Sequence, residues 1–253
     1  HVANDTWQVI HSPITSDMMS TGENIPEYIE EEDDENGNTK KKAYYEMTSK
    51  DNSNKSRAMR DFHNLFVKRK LIGSVSVRDD TLIDYSVGKA GDLPKWIKSK
   101  LKFVFGIDIN KDNIHNHNNG ACVRYLNQKS EYRDSKNFLS AIFINGDSGM
   151  NIRNGAAFNK EFSTEKEKEI ANALFGVGPK DPKVIGQNVY NNYGIGEDGY
   201  SISSCQFSLH YFFKDLRLLN GFIRNLAECT KLNGYFIGTC YDGKKIFEML
   251  KDK

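Results

Sequence analysis

The chain is 253 residues long, with 38% hydrophobic, 11% aromatic and 27% charged residues. That is enough apolar side chain for one α/β core with arms, and no apolar run approaches the roughly eighteen residues of a membrane span. Thirty-five basic against thirty-four acidic residues leave a net charge of +1, so the whole molecule is no electrostatic magnet for nucleic acid and any RNA contact has to be local.

Residues 1–56 are the least foldable stretch. An acidic run from Glu27 to Glu35 is followed by Asn36-Gly37-Asn38 and Lys40 to Lys42, the composition of an arm or linker. The opening HVANDTWQVI lacks the basic-then-apolar layout of a signal peptide, and a start without Met reads as a piece of a longer protein. Helical spacing of Met59, Phe62, Leu65, Phe66 and Leu71 predicts a helix over 57–72. Strands are expected at 81–87, 102–109, 138–146, 201–207 and 234–240, with helices at 92–100, 112–128, 164–175, 212–232 and 243–252. Strands alternating with helices imply a doubly wound, mostly parallel α/β sheet of Rossmann type, with ligands at the carboxyl ends of the strands. The Gly- and Asn-rich segment 176–199 is long for a connection and is expected to be a surface insertion. Cys122, Cys205, Cys229 and Cys240 form no CxxC pair and fall in apolar segments, the pattern of reduced, buried thiols.

The sharpest chemical signal is DYSVGKAGD (84–92), at the turn from the first strand into its helix. Gly88 and Gly91 allow close approach of a ligand, and the turn aims backbone amides at it. Asp108 ends the next strand, where a carboxylate can accept from vicinal ribose hydroxyls. The set describes an adenosine site. A nicotinamide-binding turn is disfavoured because Ser86 stands where GxGxxG needs its first glycine and Lys89 sits beside the second. Asp147-Ser148 and Gln206-Phe207-Ser208 fall at the same sheet edge, where Asp147 can accept from an exocyclic amine and Ile142, Phe143 and Phe207 offer apolar cover for an adenine. His115 and His117 lie in an Asn-rich stretch without nearby carboxylate or thiol partners, so no metal site is expected.

The pieces MRDFHNLFVKRKLI (59–72), DYSVGKAGDLPKW (84–96), FGIDI (105–109), INGDS (144–148), SCQFSLHYFF (204–213) and NGYFIGTCYDG (233–243) resemble the mRNA cap guanine-N7 methyltransferases, above all the domain that ends the multifunctional capping enzymes of large DNA viruses. The similarity runs from about residue 57 to the end, and WQVIHSPITSDMMSTGENIPE (7–27) is similar to the junction after the guanylyltransferase part of such enzymes. The resemblance implies a class I fold binding S-adenosylmethionine (SAM). Asp84, Ser86, Gly88 and Asp108 would line SAM, Lys68 would reach its carboxylate, Asp147 and Ser148 its adenine, and Gln206 and Tyr211 its methionine part. For the cap it implies Lys89 and Lys95 on the triphosphate, Arg124 as a further phosphate contact, and Phe207, His210 and Tyr211 around the guanine with Asn64 alongside. Capped RNA is the implied partner, with triphosphatase and guanylyltransferase domains in the longer chain, a monomeric domain, no membrane, and a host-cytoplasm or virion setting.

Departures from the family pattern are Ser86, Ala90 and Tyr241, the last where many cellular relatives carry proline. The family also adds two strands, a glutamate and an aromatic beyond the point where this sequence stops. Two alternatives share the SAM residues: a methyltransferase acting on another nucleobase or small molecule, which has no need of Lys89 and Lys95, and a non-catalytic SAM-fold module that binds RNA or a partner.

Overall fold

The computed structural model describes residues 57–132 and 138–251, so the expected arm at 1–56 lies outside the described residues. Asn52–Tyr241 forms one compact unit, and Asp242–Lys253 falls in a second. The first unit opens with a continuous helix in three pieces: α1 (Arg57–Asp61), a π-helical stretch (Phe62–Val67) and α2 (Lys68–Val75). Then follow β1 (Thr81–Asp84), α3 (Leu93–Lys98), β2 (Phe103–Asp108), α4 (Lys111–His115), α5 (Ala121–Glu131) and β3 (Ser140–Asn145). After a 3-10 turn (Ala156–Phe158) come α6 (Glu165–Leu174), α7 (Pro182–Ile185), α8 (Gln187–Asn191) and β4 (Tyr200–Gln206). A second 3-10 turn (Leu209–Lys214) leads into α9 (Leu216–Cys229) and β5 (Thr230–Thr239); α10 (Gly243–Lys251) belongs to the other unit.

The five strands form one all-parallel sheet in the order β3-β2-β1-β4-β5, the doubly wound arrangement the alternating pattern implies. The order reverses between β1 and β4, which makes the carboxyl ends of those strands the natural crevice for a ligand. Side chains alternate between two cores. Ile83, Phe103, Phe105 and Ile107 face one, with Ile144, Phe158, Phe175 and Phe222; Leu82 and Val104 face the other, with Ile72, Trp96, Tyr125, Phe143 and Ile202. Gly106 is required by packing: a Cβ there would lie 2.6 Å from Phe143 and 2.8 Å from Val87.

Several expectations are corrected. The helix expected at 112–128 is two helices, because the Asn116 side chain accepts from the amides of Asn118 and Asn119 and so competes with the helical backbone. Segment 176–199 lies at the surface, with many residues exposed, but is anchored rather than a loose insertion: Ile185 and Val189, spaced i,i+4 on α7 and α8, are each 3% exposed within the core, and Asn188 and Asn192 bond Ser140 at the start of β3. The helix expected at 212–232 ends at Cys229, and β5 begins at once with a register shift against β4 between Tyr200 and Ile202. Cys205 and Cys229 are buried free thiols, but Cys240 is exposed. In the first helix Ile72 is buried, whereas Met59, Phe62, Leu65 and Phe66 are exposed.

Candidate functional site

β1 delivers Asp84 to the sheet edge, where its carboxylate accepts from the Ser86 amide at 3.0 Å and the Ser204 hydroxyl at 3.3 Å. Burial, followed by the Asp92 charge, pushes its carboxyl up to about 7 against the opposing pull of the Ser86 amide, Lys68 and Ser204. The turn is pinned to β2 by the Val87 amide on the Ile107 carbonyl. Gly88 takes φ +53°, a left-handed conformation that glycine adopts without steric cost, and its amide donates to Asp108 Oδ2 at 2.8 Å. Asp108 Oδ1 accepts from the Asn110 amide at 2.9 Å and from Asn113 Nδ2 at 3.0 Å. Burial raises the Asp108 carboxyl while these three donors lower it. The carboxylate is therefore oriented from behind, with one lone pair on Oδ2 uncommitted among the bonds seen.

The cations fall into two groups. Lys68 and Lys95 both converge on buried Asp92, at 3.2 and 2.7 Å, and Lys95 also donates to the Gly91 carbonyl. Lys89 instead stands at the surface, 3.3 Å from Asp112 and 2.7 Å from Asn119 Oδ1, and its carbonyl accepts from Arg124 Nη1 at 2.9 Å. Of the four basic residues assigned to ligand anions, two are thus brought together at Asp92 and two beside α5. His115, which the sequence leaves without a carboxylate, finds Glu167 of α6 at 2.8 Å.

At the end of β3, Asp147 Oδ1 accepts from the Gly149 amide, and burial raises its carboxyl. The Ser148 hydroxyl donates to the Tyr85 carbonyl at 2.8 Å, tying the β3 loop to the β1 turn. At the end of β4, Gln206 is 6% exposed, accepting from Thr239 Oγ1 and donating to Ser204 Oγ. Phe207 follows at φ +58°, a conformation costing about 1–2 kcal/mol for a residue with a Cβ, held by its amide on the Thr239 carbonyl at 2.8 Å. An aromatic cluster results: His63 stands edge-on to Phe207 at 4.9 Å, Phe207 lies 6.3 Å from Tyr241, and His210 lies 4.2 Å from Tyr211 and 5.3 Å from Tyr241. Lys68 Nζ lies 5.5 Å over the Phe207 ring, joining this cluster to Asp92. Asn64 is half-buried on the same π-helical stretch as His63.

These residues fit an adenosyl sulfonium. A Cβ built on Gly88 or Gly91 would meet nothing within 4 Å, so the turn borders open space. Asp108 offers an oriented carboxylate beside it, and the buried Asp84 carboxyl, raised to about 7, gains a reason to ionise when a cationic ligand arrives. Asp92 and His63 escaped the sequence reading. For Asp92 the signal was there, since GDLPKW spaces Asp92 and Lys95 one helical turn apart; His63 carried none, because its contact with Phe207 joins distant segments.

Residues 28–253 match the model of the mRNA (guanine-N(7))-methyltransferase domain. The chain is 29% identical over its whole length to a probable mRNA-capping enzyme of Acanthamoeba polyphaga mimivirus, covering 20% of that protein. It is 24% identical over 95% of its length to mRNA cap guanine-N(7) methyltransferase 1 of Arabidopsis thaliana, covering 55% of it, and 26% identical over 76% to the Drosophila melanogaster mRNA cap guanine-N(7) methyltransferase, covering 38%. The chain thus spans between a fifth and about half of these relatives. With that match over most of its length and an all-parallel five-stranded sheet, the chain belongs to the mRNA (guanine-N(7))-methyltransferase family, which has the class I fold and takes SAM as cofactor.

Proposed function

We propose that this chain transfers a methyl group from SAM to N7 of the guanosine cap of mRNA. The observation that carries the reading is the aromatic cluster of Phe207, His210, Tyr211 and Tyr241 at the end of β4, joined through Lys68 to the Asp92 carboxylate of the Gly-containing turn. A purine slot and a SAM turn then share one sheet edge.

In this reading Asp108 and Gly88 hold the ribose, Asp147 and Ser148 border the adenine, and Lys68, Asp84, Asp92, Ser86, Gln206 and Tyr211 surround the methionine part. SAM supplies an electrophilic methyl on a positively charged sulfur. Guanine N7 presents a lone pair and no proton, so no side chain has to act as a general base, and His210 serves as a wall of the slot. Holding N7 in line with the methyl supplies most of the rate. The rings of Phe207, His210, Tyr211 and Tyr241 favour the purine as it gains positive charge. Lys89 and Arg124 receive the triphosphate, which suits a half-buried and an exposed cation side by side; Lys95, committed to Asp92, acts on it at most indirectly. The match to a fifth of a viral capping enzyme supports a place within a longer protein bearing triphosphatase and guanylyltransferase domains, at work in host cytoplasm or virion.

The test is incubation with methyl-labelled SAM and RNA bearing an unmethylated guanosine cap, then nuclease release of the cap. Label at N7 is expected. SAM binding without label in the cap would instead favour another nucleobase or small molecule as acceptor, or a non-catalytic module.

A further inference from the structure

The first helix carries a feature that neither the core nor the cap site uses. Phe62 and Phe66 stack with ring centroids 5.5 Å apart at 21°, yet are 55% and 57% exposed. They sit in the π-helical stretch, whose wider turn brings positions i and i+4 nearly into line. Lys70 Nζ lies 5.9 Å from the Phe66 centroid, and Arg69 beside it is exposed. Residues 57–72 carry Arg57, Arg60, Lys68, Arg69 and Lys70 against one carboxylate, Asp61, in a chain of net charge +1. From this stretch His63 also reaches Phe207 and, next to it, Lys68 lies over the Phe207 ring. The exposed ring pair is therefore continuous with the aromatic cluster at the end of β4.

We propose that Phe62 and Phe66 are a stacking platform for the single-stranded RNA body that follows the cap, with Lys70 and Arg69 on its phosphates. The inference rests on the cap-methyltransferase reading and adds a site for the nucleotides that reading leaves unplaced. Exposed rings flanked by cations are what sequence-tolerant single-strand binding requires, because every base has a π-face and every nucleotide a phosphate. A strand leaving the guanine slot past Phe207 meets this helix next, through His63. Neither ring reads a base edge, so the platform is indifferent to sequence.

The test compares three ligands on the purified chain by fluorescence anisotropy and competition: a cap dinucleotide, a capped single-stranded RNA of about ten nucleotides, and the same RNA uncapped. Wild type is expected to hold the capped RNA more tightly than the dinucleotide. Phe62→Ala with Phe66→Ala should cost both RNAs roughly tenfold per stacked base and leave the dinucleotide unchanged, while Phe62→Trp with Phe66→Trp keeps RNA affinity. Lys70→Ala should lower the salt slope by about one phosphate. Loss on uncapped RNA supports the platform even if the dinucleotide is not bound at all, which would count against the cap reading alone. Unchanged RNA affinity in the double alanine variant overturns the platform. So does an equal loss on dinucleotide and RNA, or a lowered melting temperature with RNA affinity intact, which would mean that another part of the protein covers these rings.

Discussion

Asp108→Ala tests the ribose assignment most directly, and its size can be worked from the bonds the carboxylate already makes. Three internal donors, Gly88 N, Asn110 N and Asn113 Nδ2, use one position on Oδ2 and both on Oδ1. One full charge-assisted hydrogen bond to a ribose hydroxyl then remains, worth about 1.5–3 kcal/mol, so SAM affinity should fall about tenfold to a hundredfold. The variant also strands the Gly88 and Asn110 amides. Both residues are only half-buried, so water can replace part of the lost bonding and the cost to stability should stay near 2 kcal/mol. Calorimetric titration with SAM, alongside thermal melting, separates the two effects. A folded variant with wild-type SAM affinity would refute the reasoning.

Lys89→Ala should weaken capped RNA and spare SAM, whereas Lys95→Ala, which removes a partner of buried Asp92, should lower the melting temperature and SAM affinity together; identical profiles for the two would contradict the division seen at 3.3 and 2.7 Å. Asp84, with its carboxyl raised to about 7 by burial and by Asp92, binds more protons folded than unfolded between about pH 4 and 7, so it favours the folded state in acid and that contribution is lost as pH rises through 7. Asp84→Asn, which can still bond Ser86 and Ser204, should therefore gain stability over wild type from pH 5 to pH 8, and a pH-independent difference in melting temperature would count against it. Ile185→Ala should cost about 2–5 kcal/mol in urea unfolding if α7 belongs to the core, against well under 1 for a surface site. Thiol alkylation of the native protein followed by mass spectrometry should mark exposed Cys240 before Cys205 and Cys229, whose thiols burial pushes up to about 12; early labelling of Cys205 would deny that the β4 end is closed.

The sheet was legible because its signals are local. Runs such as KFVFGIDI are buried on both faces, as a central parallel strand must be, and all six residues of β2 are buried. The turn was legible too: Gly88 supplies a left-handed backbone and Asp108 closes on its amide, a pairing that follows from their places at the ends of adjacent strands. What stayed hidden depends on contacts between distant segments. Ile185 and Val189 are only two apolar residues in a Gly- and Asn-rich stretch, and nothing local says that Ser140 and β3 lie beneath them. The split of α4 from α5 was harder still, since it turns on Asn116 preferring its neighbours' amides to the helix.

The same distinction explains why the cations were harder to place than the carboxylates. A strand-end carboxylate has its position fixed by the sheet, and only short side chains and backbone amides decide its orientation. A lysine reaches several ångströms from its Cα and goes where an anion draws it. Lys89 and Lys95 lie on or beside the turn in sequence and Lys68 on the helix that precedes β1, yet buried Asp92 takes Lys68 and Lys95, because an unpaired carboxylate there would cost several kcal/mol. The third is left at the surface with Asp112 and Asn119, partners that a polyanion can displace at little cost. Burial of one acid that the motif did not single out therefore decides which lysine remains exchangeable for a triphosphate, and Lys89 is the one to mutate first.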